Sequence, residues 1–231
     1  MIRLVVTDID GTLTRRRGDL LLELEAVEAI RLLESRGVTV SLASGNSLPV
    51  TAGVARYIGA RGPVIGENGC LVLHQGIVHH VCRGRPGEDL IEALESLGLS
   101  QSWQNMFRMH DLSFNGPREL LYEGARLAEE MGYAAYLSGY ALHVQPRGGG
   151  KDAGLRYAAR LLDVGLDEVA AVGDGGNDIP MLRAAGFSAA PGDADEEVKS
   201  IVDYVASQPG GRGFSEVARL ILSGRAGGSR I

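Results

Sequence analysis

Apolar positions along this chain alternate between two rhythms. Short runs, namely Ile2, Leu4, Val5 and Val6, then Val38–Ala43, then Val169–Val172, have the length of strands buried on both faces. Between them, apolar residues recur at helical spacing. Leu24, Val27, Ile30 and Leu33 mark a helix over Glu23–Arg36 that Gly37 stops, and a second helix over 48–58 carries Pro49 in its first turn. Pro63–Ile65 reads as a third strand, and Leu71–Leu73 with Ile77-Val78 around Gln75-Gly76 as a hairpin. Strand, helix, strand, helix, strand predicts a doubly wound α/β start.

The rhythm breaks at Arg83–Gly87, a link rich in glycine and proline. Beyond it the pattern predicts a helix (Glu88–Leu97), extended segments (Gln104–Met109 and Leu112–Phe114) and a helix (Pro117–Met131). A hairpin follows, formed by Tyr133–Leu137 and Tyr140–Val144 around Ser138-Gly139. Arg147–Gly150 forms a second link. Residues 83–147 are therefore expected to be a small α+β domain inserted into a core made of residues 1–82 and 148–231. The α/β rhythm then resumes with a helix over Lys151–Leu162, the strand Val169–Val172, a helix over Ile179–Ala185 and a strand at Phe187–Ala189. It closes with a helix over Asp195–Ile201, a strand at Tyr204-Val205, a helix over Phe214–Leu222 and a tail from Gly224 expected to fray. The expected fold class is α/β, a doubly wound parallel sheet with an inserted α+β unit.

Composition narrows the function classes. With 231 residues and 45% apolar content the chain can bury a sizeable core. A net charge of −6 argues against a general nucleic-acid partner. No apolar run approaches the roughly 18 residues that span a bilayer, and no leader pattern opens the chain. No membrane partner and a cytoplasmic location are expected. Cys70 and Cys82, the two cysteines, suit a reducing compartment and suggest no disulfide framework. Together with His74, His79 and His80 they match no standard zinc spacing and read as hairpin residues. The only lysines, Lys151 and Lys199, stand among 23 basic residues, which hints that a compact ammonium is needed somewhere. Nothing in the pattern assigns an oligomeric state, so a homodimer stays open.

Candidate chemistry sits where strands end. The first strand runs into Asp8 and Asp10, with Gly11 after them, and the strand at 169–172 runs into Asp174, Asn177 and Asp178. In a doubly wound sheet, ligands bind at the carboxyl ends of the strands. Two acids at i and i+2 repel unless a cation or a proton relieves them. Carboxylates from two strands suit a hard cation such as Mg2+. Ser44, the backbone of Gly45 and the ammonium of Lys151 suit phosphoryl oxygens. Each residue has a blander role available: turn acids, a Ser44 helix cap, a solvated lysine. Lys151 fits the last poorly, because a helix start disfavours a cation. Gly148-Gly149-Gly150-Lys151 lacks the full phosphate-loop pattern and reads as a hinge. Arg108, His110, Arg118, His143 and Arg147 lie in the insert, where they could meet a substrate carboxylate or simply face solvent.

With Asp8-Ile9-Asp10-Gly11-Thr12-Leu13, Ser44-Gly45-Asn46, Lys151 and Gly173–Asp178 in this order, the chain resembles the haloacid dehalogenase superfamily of phosphohydrolases. The insert resembles that superfamily's larger α/β cap, and the size and ending are similar to its archaeal-type phosphoglycolate phosphatases. The resemblance implies Asp8 as nucleophile and Asp10 as acid, then base. It implies Mg2+ held by Asp8, the Asp10 carbonyl and Asp174, with Asp178 close by. It also implies Ser44, Gly45 and Lys151 on the phosphoryl group, with Asn177 orienting phosphate or Lys151. The implied substrate is a small phosphorylated metabolite, foremost 2-phosphoglycolate. Sugar phosphates are the alternative, and a phospho-accepting receiver module is the non-enzyme alternative.

Overall fold

The computed structural model of the protein describes residues 1–138 and 141–226. In chain order the first elements are β1 (Leu4–Thr7), α1 (Leu24–Ser35), β2 (Thr39–Leu42), α2 (Leu48–Ile58), β3 (Val64–Gly66), β4 (Leu71–His74) and β5 (Ile77–His80). The inserted segment supplies α3 (Glu88–Ser96), β6 (Ser100–Gln101), β7 (Leu112–Asn115), α4 (Arg118–Glu130), β8 (Ala134–Leu137) and β9 (Leu142–Gln145). The chain then adds α5 (Lys151–Leu161), β10 (Val169–Val172), α6 (Ile179–Ala184), β11 (Phe187–Ala190), α7 (Glu196–Lys199), β12 (Tyr204–Val205) and α8 (Gly210–Leu222).

A parallel sheet in the order β12-β11-β10-β1-β2 forms the centre. Its strands read as continuous apolar runs because both faces are covered. Val5 points into a cluster with Ile30, Leu33 and Phe214, whereas Leu4 and Val6 point into one with Leu155, Ala158 and Leu182. β1 lies between β10 and β2, so the chain leaves it on both sides and a crevice opens at its carboxyl end. The antiparallel sheet β3-β4-β5 extends this edge through a bridge from Ala43 to Ile65. A four-stranded antiparallel sheet, β6-β7-β9-β8, lies wholly within the insert and packs on its own buried cluster, which includes Leu90, Leu94, Phe114 and Leu142.

Several local expectations need correction. Gln104–Met109 is not extended: Trp103–Phe107 is a 3₁₀ turn. Ser102 Oγ accepts the Gln104 N–H at 3.3 Å, and the buried amide of Asn105 bonds the Ser113 backbone at 2.9 and 3.1 Å. Such side-chain bonds compete with a strand ladder, and here they win. α8 begins four residues before the expected Phe214, because Gly210 and Gly211 let it press against the loop after Asp10 and the start of α1. α7 covers only Glu196–Lys199, so the expected ends at Asp195 and Ile201 fall outside the helix. The turn at Gly139 and the tail beyond Ala226 lie outside the described residues.

The largest correction concerns the cysteines. Cys70 and Cys82 are bonded to each other. The β4–β5 register pairs Leu71 with His80, so the residues flanking the hairpin face one another, and Val81 N–H donates to the Cys70 carbonyl at 2.9 Å. Cysteine number alone suggested a compartment, whereas the hairpin register decides the pairing. Both cysteines are thereby removed from any metal site. Among the described residues, no helix is long and apolar enough to cross a membrane.

Candidate active site

Each acid is placed by the strand before it. β1 carries Asp8 just past its end, where Asp8 N–H donates to the Val172 carbonyl of β10 at 2.9 Å. β10 leads through Gly173 to Asp174, and the next turn returns Asp178 beneath it. Asp178 Oδ2 accepts the N–H groups of Asp174 and Gly175 at 3.0 and 3.1 Å. Lys151, the first residue of α5, is 1% exposed. Its Nζ lies 2.8 Å from Asp8 Oδ1 and 2.5 Å from Asp178 Oδ1. A cation at a helix start meets the unfavourable end of the dipole, and these two carboxylates offset that.

Asp8, Asp174 and Asp178 bring carboxylate oxygens within 4.8 Å of one another. The strand-end residues separated by 166 positions of sequence thus share one place. Burial, then the neighbouring Asp178, hold the Asp8 carboxyl well above the usual range, against the pull of Lys151. Burial and Asp178 likewise push Asp174 up to about 7. Burial also raises Asp10. Burial alone would lower the Lys151 ammonium, but Asp178 and Asp8 raise it above its ordinary value, so it stays charged. This set of hard oxygen donors, with their repulsion only partly offset, fits a hard divalent cation. Gly11 belongs to the same design. At φ +87° it occupies left-handed backbone, and a Cβ there would sit 2.3 Å from Asp174 Oδ2.

Gly45 and Asn46 line the adjoining wall of the cavity, and Ser44 before them is fully buried. Ser44 Oγ accepts from the Asn46 backbone N–H and from Asn46 Nδ2, both at 3.0 Å. With its two acceptor positions filled, the hydroxyl proton remains to be donated. The helix-cap role is not what the structure shows, since α2 starts at Leu48 with Ser47 before it. Asn177 reaches the cavity wall, but its amide meets Asn68 Oδ1 at 3.5 Å rather than Lys151.

A cavity of about 1070 Å³ separates these groups from the insert, with Asp8, Asp10, Lys151 and Asp174 on one side and Gln104, Arg118 and His143 on the other. The two parts are docked. Glu67 accepts the N–H groups of Met109, His110 and Asp111, and Asn68 Nδ2 donates to Asp111 Oδ2 at 2.8 Å. Asp111 Oδ1 in turn holds Arg108 at 3.0 Å and His143 Nδ1 at 3.1 Å. Arg108 Nη2 donates to the Gly45 carbonyl at 2.8 Å. Of the insert's five cationic or imidazole candidates, Arg108 and His143 are buried beside Gly45, Arg118 lines the cavity, His110 bonds His80, and Arg147 bonds the carbonyls of Glu129, in the last turn of α4, and Gly132.

Sequence reasoning passed over Arg17, Asp111 and Gln104. Arg17 Nε lies 2.8 Å from Asp174 Oδ2, and its guanidinium also pairs with Asp195. Thr12 Oγ1 donates to the other Asp174 oxygen at 3.0 Å. Arg17 is one of three consecutive arginines, and nothing local distinguishes it from its neighbours.

The family profile described as haloacid dehalogenase-like hydrolase matches residues 5–114 and 122–217. The phosphoglycolate phosphatase of Aeropyrum pernix is 45% identical over 96% of this chain and 95% of its own length. That of Metallosphaera sedula is 42% identical over 96% of this chain and 100% of its own. Among solved structures, one from Thermoplasma acidophilum superposes with a TM-score of 0.87 at 30% identity, covering 95% of this chain and 97% of that one.

Proposed function

The chain belongs to the haloacid dehalogenase-like hydrolases, and from that premise we propose that it is a Mg2+-dependent phosphatase of 2-phosphoglycolate, working through a phosphorylated Asp8. The observation that carries this reading is the convergence of Asp8, Asp174, Asp178 and Lys151 at one end of the central sheet, beneath the cavity that the insert covers. Relatives bearing that name match nearly the whole chain.

Asp8 attacks phosphorus, and Asp10 gives its proton to the departing alkoxide. Asp10 then accepts a proton from the water that releases phosphate from Asp8, so one difficult hydrolysis becomes two easier steps. Ser44 donates its hydroxyl to a phosphoryl oxygen, and Lys151 offsets the negative charge shared by Asp8 and the phosphoryl group. Mg2+, held by Asp8, Asp174 and the Asp10 carbonyl with Asp178 near, would supply charge that draws the phosphoryl oxygens to Asp8. Asp178 has both oxygens engaged, so it acts chiefly by holding Lys151 and the loop. Residues 83–147 serve as the cap, excluding water from the leaving group. A cytoplasmic location suits a small-metabolite substrate, although the Cys70–Cys82 bond withdraws the support that free cysteines would lend it.

The test is kcat/KM for 2-phosphoglycolate against a set of sugar phosphates, with and without Mg2+. Preference for 2-phosphoglycolate, lost on chelation, is expected. Preference for a sugar phosphate would overturn the substrate and keep the enzyme class. A stable phosphoprotein with negligible phosphate release would favour a receiver-type module.

The cation should also register in stability. Asp174 titrates near 7 when folded and near 4 when unfolded, so between those values the folded chain keeps a proton the unfolded chain releases. Ionising it therefore costs stability as pH rises towards 7. A divalent ion takes the proton's place, so Mg2+ should raise Tm little at about pH 5 and increasingly up to about pH 7.5. Thermal melts with and without Mg2+ across that range check this, and a pH-independent Tm shift would contradict it.

A further inference from the structure

Resting on the phosphatase reading, we propose that Gln104 is a positioning residue that orients the Asp10 carboxyl toward the leaving oxygen. It acts through Asn46, so the docked insert completes the acid that the core alone holds loosely.

The argument starts from a group whose polarity is fixed. The Ser47 backbone N–H can only donate, and it meets the Gln104 side chain at 2.9 Å. Gln104 must therefore present Oε1 to it, which leaves Nε2 to face Asn46, 2.9 Å from Oδ1. Asn46 is thereby fixed in turn, with Nδ2 facing Asp10 Oδ2 at 3.0 Å and Ser44 Oγ at 3.0 Å. One backbone amide thus sets the direction of every hydrogen bond in the row. With Asn46 donating to Oδ2, the proton of the neutral Asp10 acid belongs on Oδ1, which has no hydrogen-bond partner among the described residues, and Asp10 lines the cavity. From there the proton passes to the alkoxide oxygen as its bond to phosphorus breaks and the Asp8 oxygen bonds phosphorus. Asp10 is left as a carboxylate.

Gln104 is firmly held for this task. It sits in the 3₁₀ turn that Ser102 and Asn105 pin to β7, and it reaches the core beside the Arg108 bond to Gly45. Removing its amide donor frees Asn46 Oδ1, and the Asn46 amide can then rotate away from Asp10.

Gln104→Glu keeps the length and the acceptor for Ser47 but sets an oxygen against Asn46 Oδ1. Gln104→Ala removes the contact altogether. Each is compared with the parent on 2-phosphoglycolate, whose alkoxide needs a proton to leave, and on p-nitrophenyl phosphate, whose phenolate does not. kcat/KM is the readout because it reports the steps up to leaving-group departure. Both variants should lose about 10- to 100-fold on 2-phosphoglycolate and less than about threefold on p-nitrophenyl phosphate. In an Asp10→Asn background, Gln104→Glu should cost nothing further on 2-phosphoglycolate. Equal losses on the two esters, no loss on either, or full additivity with Asp10→Asn would overturn the proposal. A parent enzyme that hydrolyses neither these esters nor any sugar phosphate would instead overturn the phosphatase reading beneath it.

Discussion

Asp8→Asn should yield a folded protein whose hydrolysis of 2-phosphoglycolate is at least about 10^5-fold below the parent's. The carboxylate it removes is the one that must bond phosphorus, and an amide is a poor nucleophile. The same change should leave stability intact without a cation. Asp8 is held above the usual carboxylate range by burial and by Asp178, so ionising it works against the fold. Lys151 retains Asp178 at 2.5 Å. Turnover and thermal melting of the purified variant check both halves. Activity within about tenfold of the parent would remove Asp8 as the attacking group.

Lys151→Met should damage fold and rate together. The methionine keeps most of the buried stem and deletes the one ammonium between Asp8 and Asp178. Breaking one side of a buried ion pair costs about 3–5 kcal/mol, and here two carboxylates lose a shared partner. Turnover should fall about 10^2- to 10^3-fold, the scale for losing one charge-stabilising donor. Because burial already holds the Asp8 carboxyl above the usual range, a proton can neutralise it once its ammonium partner is gone, and the stability deficit should shrink as pH falls from about 7.5 to 5.5. Chemical denaturation at the two pH values measures this. A variant as stable as the parent at neutral pH would show that Lys151 does not hold the acids together.

The central sheet was readable because strands buried on both faces leave unbroken apolar runs, and the loops after β1 and β10 announce themselves by acids beside glycines. Asp8, Asp174 and Asp178 lie together because parallel strands end at one edge, a consequence of topology that the α/β rhythm carries. Other features depend on long-range register. Arg17 meets Asp174 only because the loop after β1 folds back over β10, and Gln104 meets Asn46 only because the insert is docked. Apolar spacing predicts an extended Gln104–Met109, but amide side chains determine the backbone there and make the turn at Trp103–Phe107. The cysteine pair escapes the sequence for a related reason: a count says nothing about which residues a hairpin sets opposite each other.

Covalent capture of the phosphoryl group by a core carboxylate is the claim on which the mechanism stands. Its most direct measurement is the stereochemical course at phosphorus, using a thio-substituted 2-phosphoglycolate made chiral with oxygen isotopes and hydrolysed in water of a third isotope. Attack by Asp8 and then by water inverts phosphorus twice, so the account predicts net retention. Net inversion would mean that water displaces glycolate in a single step and would contradict it.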